Sequence, residues 1–89
     1  MDVLNELRSE MEKLDLQLIT LLSRRQELAF FIGIEKQRLK LDVEQLDYWN
    51  NCHDKRMFIA KKMELNHTFV NEIFEIIHKH SKRTQEINK

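Results

Sequence analysis

VLNELRSEMEKLDLQLITLLSRRQELAFFIGIEKQRLKL, residues 3–41, decides the fold. The stretch has no proline, and its one glycine is Gly33. Apolar residues recur at alternating spacings of three and four: Leu4, Leu7, Met11, Leu14, Leu18, Leu21, then Leu28, Ile32 and Leu39. That is the stripe of one amphipathic helix. Two places in the series are polar, Arg25 after Leu21 and Glu35 after Ile32. A guanidinium on a seam that should be buried is costly unless an anion meets it. Asp2 stands where an N-cap is expected. Gly33 reads either as a tolerated surface glycine or as a point of close approach by a helix or ligand.

At ~1.5 Å per residue this helix is roughly 55 Å long. A compact domain of about 90 residues is only ~30 Å across. The remaining chain is too short to cover both halves of such a rod. The apolar stripe therefore calls for a second copy, and the expected assembly is an intertwined homodimer with a two-fold axis.

Working outward, 89 residues argue one domain, residues 1–89. A chain of this size buries only ~60–65% of its unfolded surface, which also favours association. Fifteen basic and fifteen acidic residues give a formal net charge of zero. That balance speaks against general nucleic-acid or anionic-membrane binding. No apolar run approaches the ~18 residues of a membrane span, and no signal-peptide pattern opens the chain, so a soluble cytoplasmic protein is expected. The single cysteine, Cys52, permits no internal disulfide and offers no metal spacing. With no proline and one glycine, amid abundant Leu, Lys, Glu, Gln and Arg, the fold class is all-α.

After a break near Leu41, Asp42 with Gln45 three residues on reads as a capping box. It opens a second helix over about Val43–Met63, with Leu46, Trp49, Phe58, Ile59, Ala60 and Met63 apolar. Asn66, or Thr68, caps a third helix running to about Ile87, whose stripe is Phe69, Val70, Ile73, Phe74 and Ile77. Continued by helical spacing, the Val70–Phe74–Ile77 row arrives at Ser81 and Gln85. The tail from Glu86 to Lys89 is expected to fray.

Arg25 and Lys36, eleven residues apart, share a face of the long helix. They read as an anion site for carboxylate or phosphate, or else as two cations snorkelling to water over apolar neighbours. Arg8, seventeen residues before Arg25, lies on another face and cannot join it within one chain. Ser81 and Gln85 either meet a ligand or each other, or mark a helix that has run past the core. His78 and His80 point to different sides of their helix, so they do not make a metal pair. The basic run His78–Arg83 reads as a solvated helix end, where cations suit the dipole.

Leu7-Arg8-Ser9-Glu10-Met11, Leu14-Asp15, Leu21-Leu22-Ser23-Arg24-Arg25-Gln26-Glu27-Leu28-Ala29 and Ile32-Gly33-Ile34-Glu35-Lys36 together resemble the first helix of the all-helical (AroQ, type II) chorismate mutases. Phe69-Val70-Asn71-Glu72-Ile73-Phe74-Glu75-Ile76-Ile77, then Ser81 and Gln85, resembles their third helix. The resemblance implies a three-helix protomer intertwined as a homodimer around its long first helix. It implies rearrangement of chorismate to prephenate, with no cofactor, metal or covalent intermediate, in the setting of aromatic amino acid biosynthesis (the shikimate pathway). By position, Arg25 would hold a substrate carboxylate, and Arg8 from the partner chain would hold one too. Lys36 and Gln85 would donate to the ether oxygen of the breaking bond, and Ser81 would contact the ring carboxylate.

At the start of the second helix the sequence departs from the family. Members usually carry an acidic residue and then an arginine followed by glutamate; here the positions are Gln45, Tyr48 and Trp49. Gln45 still hydrogen-bonds and Tyr48 offers a hydroxyl, but one cation is missing. His78 is polar where the family usually has an aliphatic wall. Beside the mutase, two readings stand: a sister enzyme acting on isochorismate or an amino-substituted chorismate, and a non-catalytic or regulatory helical dimer.

Overall fold

The long helix forms as one uninterrupted rod. In the computed structural model, which describes residues 2–86, α1 spans Val3–Arg38. Asp2 caps it: its Oδ1 accepts from the Leu4 amide at 3.0 Å. The helix α2 (Leu46–Lys62) and the helix α3 (His67–Glu86) follow, and no strand occurs among the described residues. The expected end of the third helix at Ile87 lies outside the described residues.

The rod ends three residues short of the predicted Leu41. Lys40 turns into the left-handed region at φ 58°, the Lys40 amide donates to Gln37 O, and the Leu41 amide donates to Lys36 O. This is a Schellman cap, built on lysine where glycine is usual. The end of α2 repeats it with Glu64 at φ 58°, Glu64 N to Lys61 O and Leu65 N to Ala60 O. Asn66 then caps α3, its Oδ1 accepting from the Phe69 amide at 2.9 Å.

The second helix begins at Leu46, not Val43, and the expected capping box does not form. Gln45 is the N-cap without a side-chain cap bond. Its Nε2 donates instead to Asp42 O at 2.9 Å. The physical reason sits two residues before Gln45: the Val43 carbonyl accepts from Lys36 Nζ at 2.5 Å. A helix opening at Val43 would need that carbonyl for its own first turn. The tertiary bond wins, and residues 42–45 cross over α1 as a loop.

Packing is along α3, which receives both α1 and α2. The core is small: Met57, Ala60 and Val70 with Phe74 against them, and Ala29 on α1. Met57 replaces the predicted Phe58, Ile59 and Met63, all of which are exposed, as is Leu46. In α3, Phe69 and Ile73 are exposed while Val70 is buried. Gly33 is buried, which decides for close approach over a surface glycine. Glu35, the second polar place in the stripe, stands exposed and pairs with Arg38 one turn on; that pairing holds its carboxyl below the usual range.

Along the first half of α1, Leu7, Met11, Leu14, Leu18 and Leu21 are each more than half exposed. The protomer is 58 × 25 × 15 Å with a radius of gyration of 16.6 Å, against ~12 Å for a compact chain of this length. Its accessible surface is 7705 Å², where a compact monomer of this mass exposes about 5,600 Å². No helix among the described residues is long and apolar enough to cross a membrane.

Candidate active site

Where α1, the 42–45 loop, α2 and the last turns of α3 converge, they enclose a cavity of about 550 Å³. Arg25 and Lys36 project into it from α1, as their eleven-residue spacing requires. Gln45, Tyr48 and Trp49 line it from the start of α2, and Ser81 and Gln85 from α3. Arg8 does not reach it: seventeen residues before Arg25 on a straight helix, it is ~25 Å away along the axis and exposed.

The polar continuation of the α3 row now has its explanation. Arg25 Nη1 donates to Ser81 Oγ at 3.5 Å, the long limit of a hydrogen bond. Lys36 Nζ donates to Gln85 Oε1 at 2.7 Å. An ammonium has three hydrogens. Two of them go to Val43 O and Gln85 Oε1, which leaves one for a ligand. Because Lys36 takes the Gln85 oxygen, the amide nitrogen of Gln85 is left as a donor. Burial pushes the Lys36 pKa below the ordinary lysine value.

The wall opposite is aromatic. His78 stacks on Trp49 with ring centroids 3.8 Å apart. Burial, then the nearby Lys82 charge, pushes the His78 pKa down, with Glu44 opposing. Tyr48 stands at the mouth, and a hydrogen bond with Cys52 one turn along raises its phenol above the usual value. The run His78–Arg83 is thus only partly the solvated helix end expected from sequence. Lys79, His80 and Arg83 are exposed, but His78, Ser81 and Lys82 face the cavity.

One lining residue had no place in the sequence reading. Arg56 enters the cavity from α2, its guanidinium carbon 4.6 Å from the ring centroids of both Trp49 and Phe74. The available signal was its spacing: Tyr48, Cys52 and Arg56 fall at i, i+4 and i+8, one face of a helix.

The lining therefore carries four permanent cations, Arg25, Lys36, Arg56 and Lys82, and neither Asp nor Glu is among the described residues that form it. Lys82 has an acid outside the cavity, Glu44 at 3.2 Å. Among the described residues, no carboxylate pairs with the other three. Cations gathered in a partly desolvated cleft repel one another, and a bound anion relieves that repulsion. With apolar walls from Leu28, Ala29, Ile32 and Ile77, the cavity suits a small, partly apolar molecule carrying more than one negative charge.

Comparison with known proteins agrees. The family model for chorismate mutase type II matches residues 7–86, nearly the whole chain. No curated protein matches it.

Proposed function

Because the chain belongs to the chorismate mutase type II family, we propose that it converts chorismate to prephenate by a pericyclic shift in this cavity. The observation that carries the proposal is the convergence of Arg25, Lys36, Ser81 and Gln85 on one cleft with no acid among the described residues that line it.

In this rearrangement a C–O bond breaks while a C–C bond forms, and negative charge grows on the ether oxygen. Lys36, with its one uncommitted hydrogen, and Gln85, through its amide nitrogen, are the donors for that oxygen. They are held in place before substrate arrives, so they stabilise the transition state more than the ground state. Arg25 takes a substrate carboxylate, and Ser81, beside it, contacts the ring carboxylate. Fixing both carboxylates holds a flexible substrate in the folded conformer that reacts. Gln45, Tyr48 and Trp49 shape the third side. No step calls for a general acid or base.

The working unit in this proposal is a homodimer. The exposed leucines of α1 need a cover, and the excess surface of roughly 2,000 Å² per chain, ~4,000 Å² for a pair, is in the range of permanent interfaces. A two-fold partner running along α1 brings its Arg8 to the open side of the cavity, where it adds a further cation for carboxylate.

The stacked Trp49 and His78 favour a second reading, a sister enzyme for isochorismate or an amino-substituted chorismate, because these rings stand where the family has other side chains. One assay separates the readings. Purified protein is given each of the three substrates and the products are identified. Prephenate from chorismate, abolished by Arg25→Ala, is expected; no turnover of chorismate above background refutes the mutase.

A further inference from the structure

Arg56 is an unusual cation. Two of its nitrogens, Nε and Nη2, are buried and make no hydrogen bond. Buried donors without acceptors are costly, more so on a charged group. Nothing in α2 compels the residue to point inward: Lys55 beside it is exposed. Trp49 and Phe74 clamp the guanidinium from two sides, which holds the cation through their ring faces but offers its N–H groups nothing to donate to. Both its burial and the charge of Arg25 work against its protonated state, with Cys52 and Tyr48 opposing. An anion in the cavity would offset the repulsion between Arg56 and Arg25 and lessen the cost of burying the charge.

We propose that Arg56 is a substrate-binding residue that takes the second carboxylate of a dicarboxylate ligand, opposite the carboxylate held by Arg25. The two guanidinium groups come from different helices, α1 and α2, and line the same cavity. Each is planar and suited to a carboxylate. The aromatic clamp gives Arg56 a fixed plane before the ligand arrives, so little side-chain freedom is lost on binding. The inference deepens the chorismate reading, and its substrate-specific form rests on that reading. The general form, a dicarboxylate site requiring Arg56, does not.

Trp49 is the only tryptophan of the chain and touches Arg56, so its fluorescence reports on this corner of the cavity. The protein is titrated with chorismate and, separately, with an unreactive aromatic dicarboxylate and the matching monocarboxylate. Wild type is compared with Arg56→Gln and Arg56→Lys, each checked for folding by circular dichroism. A charged hydrogen bond lost is expected to weaken dicarboxylate binding, and to raise the KM for chorismate, roughly 10- to 100-fold in Arg56→Gln. Arg56→Lys should recover part of the loss, and monocarboxylate binding should change far less. On the wild type alone, the Arg56 Nε–H signal in a nitrogen-15 spectrum should shift on saturation with dicarboxylate, a reading that survives if the glutamine variant fails to fold.

If Arg56→Gln folds and binds the dicarboxylate as wild type does, or if the Nε–H signal stays still at saturation, the role of Arg56 is overturned while chorismate turnover stands. If chorismate is neither bound nor converted but the dicarboxylate binds through Arg56, the mutase reading falls and the Arg56 site stands. No binding of either ligand overturns both.

Discussion

Replacing Lys36 by methionine keeps the length and apolar bulk of the side chain and removes its three donors. Two of those donors make protein contacts, to Val43 O at 2.5 Å and Gln85 Oε1 at 2.7 Å, and the third is the one left for substrate. Removing a single preorganised donor from a developing oxyanion costs about 10²- to 10³-fold in kcat. Here the loss extends further, because Gln85 is oriented by the same ammonium. With its oxygen released, the amide turns freely and its nitrogen no longer faces the reacting bond. A total loss of about 10³- to 10⁴-fold in kcat is expected, with a smaller change in KM. Since both groups act as one unit, Lys36→Met and Gln85→Leu should be strongly non-additive, the double variant little worse than Lys36→Met alone. Stability should fall modestly, by about 1 kcal/mol, because the Val43 carbonyl loses its donor while only a half-buried charge is relieved. The assay is steady-state chorismate consumption for wild type, both single variants and the double, with thermal melts alongside. A Lys36→Met enzyme within tenfold of wild-type kcat, or additive losses in the cycle, would refute the shared-donor arrangement.

Three further outcomes are expected. Arg8→Ala and Arg25→Ala are each inactive alone, yet mixing and refolding them should restore about a quarter of wild-type activity, since half the dimers are mixed and each mixed dimer has one intact site; no recovery removes Arg8 from the partner's cavity. Below pH 6.5, the ordinary histidine value, the fold should weaken: the His78 pKa is lowered, so its contribution is complete above that value and lost as pH falls through the folded one. His78→Leu should flatten this slope in urea unfolding at pH 5 and 7, and an unchanged slope assigns it elsewhere. Lys40→Gly should stabilise by about 0.5 kcal/mol, the ~1 kcal/mol relief of a left-handed lysine reduced by the extra freedom of glycine when unfolded; Glu64→Gly should do the same in thermal melts, and a lower Tm in either would refute the strain.

The first helix was legible because a long apolar period has one solution. Arg25 and Lys36 were legible as a shared face because eleven residues is close to three turns. The 42–45 loop was not. Asp42 and Gln45 obey a local rule for starting a helix, and that rule lost to a bond from Lys36, seven residues back, to the Val43 carbonyl. In α2 the apolar residues lie all round, so spacing could not tell that Met57 faces in and Phe58 out. Arg56 was missed for the opposite reason. An arginine amid polar neighbours reads as surface, and only the rings of Trp49 and Phe74, from two different helices, give it a reason to turn inward.

In the proposed mutase, the absence of acids among the described residues of the cavity lining bears on product release as much as on substrate binding. An isomerisation alters neither the number of carboxylates nor the net charge of the molecule. A mutase pocket that grips through cations would therefore hold its product about as firmly as its substrate. Turnover at high conversion should thus be throttled by the product itself, with an inhibition constant close to KM, and salt should loosen that hold by screening the cage.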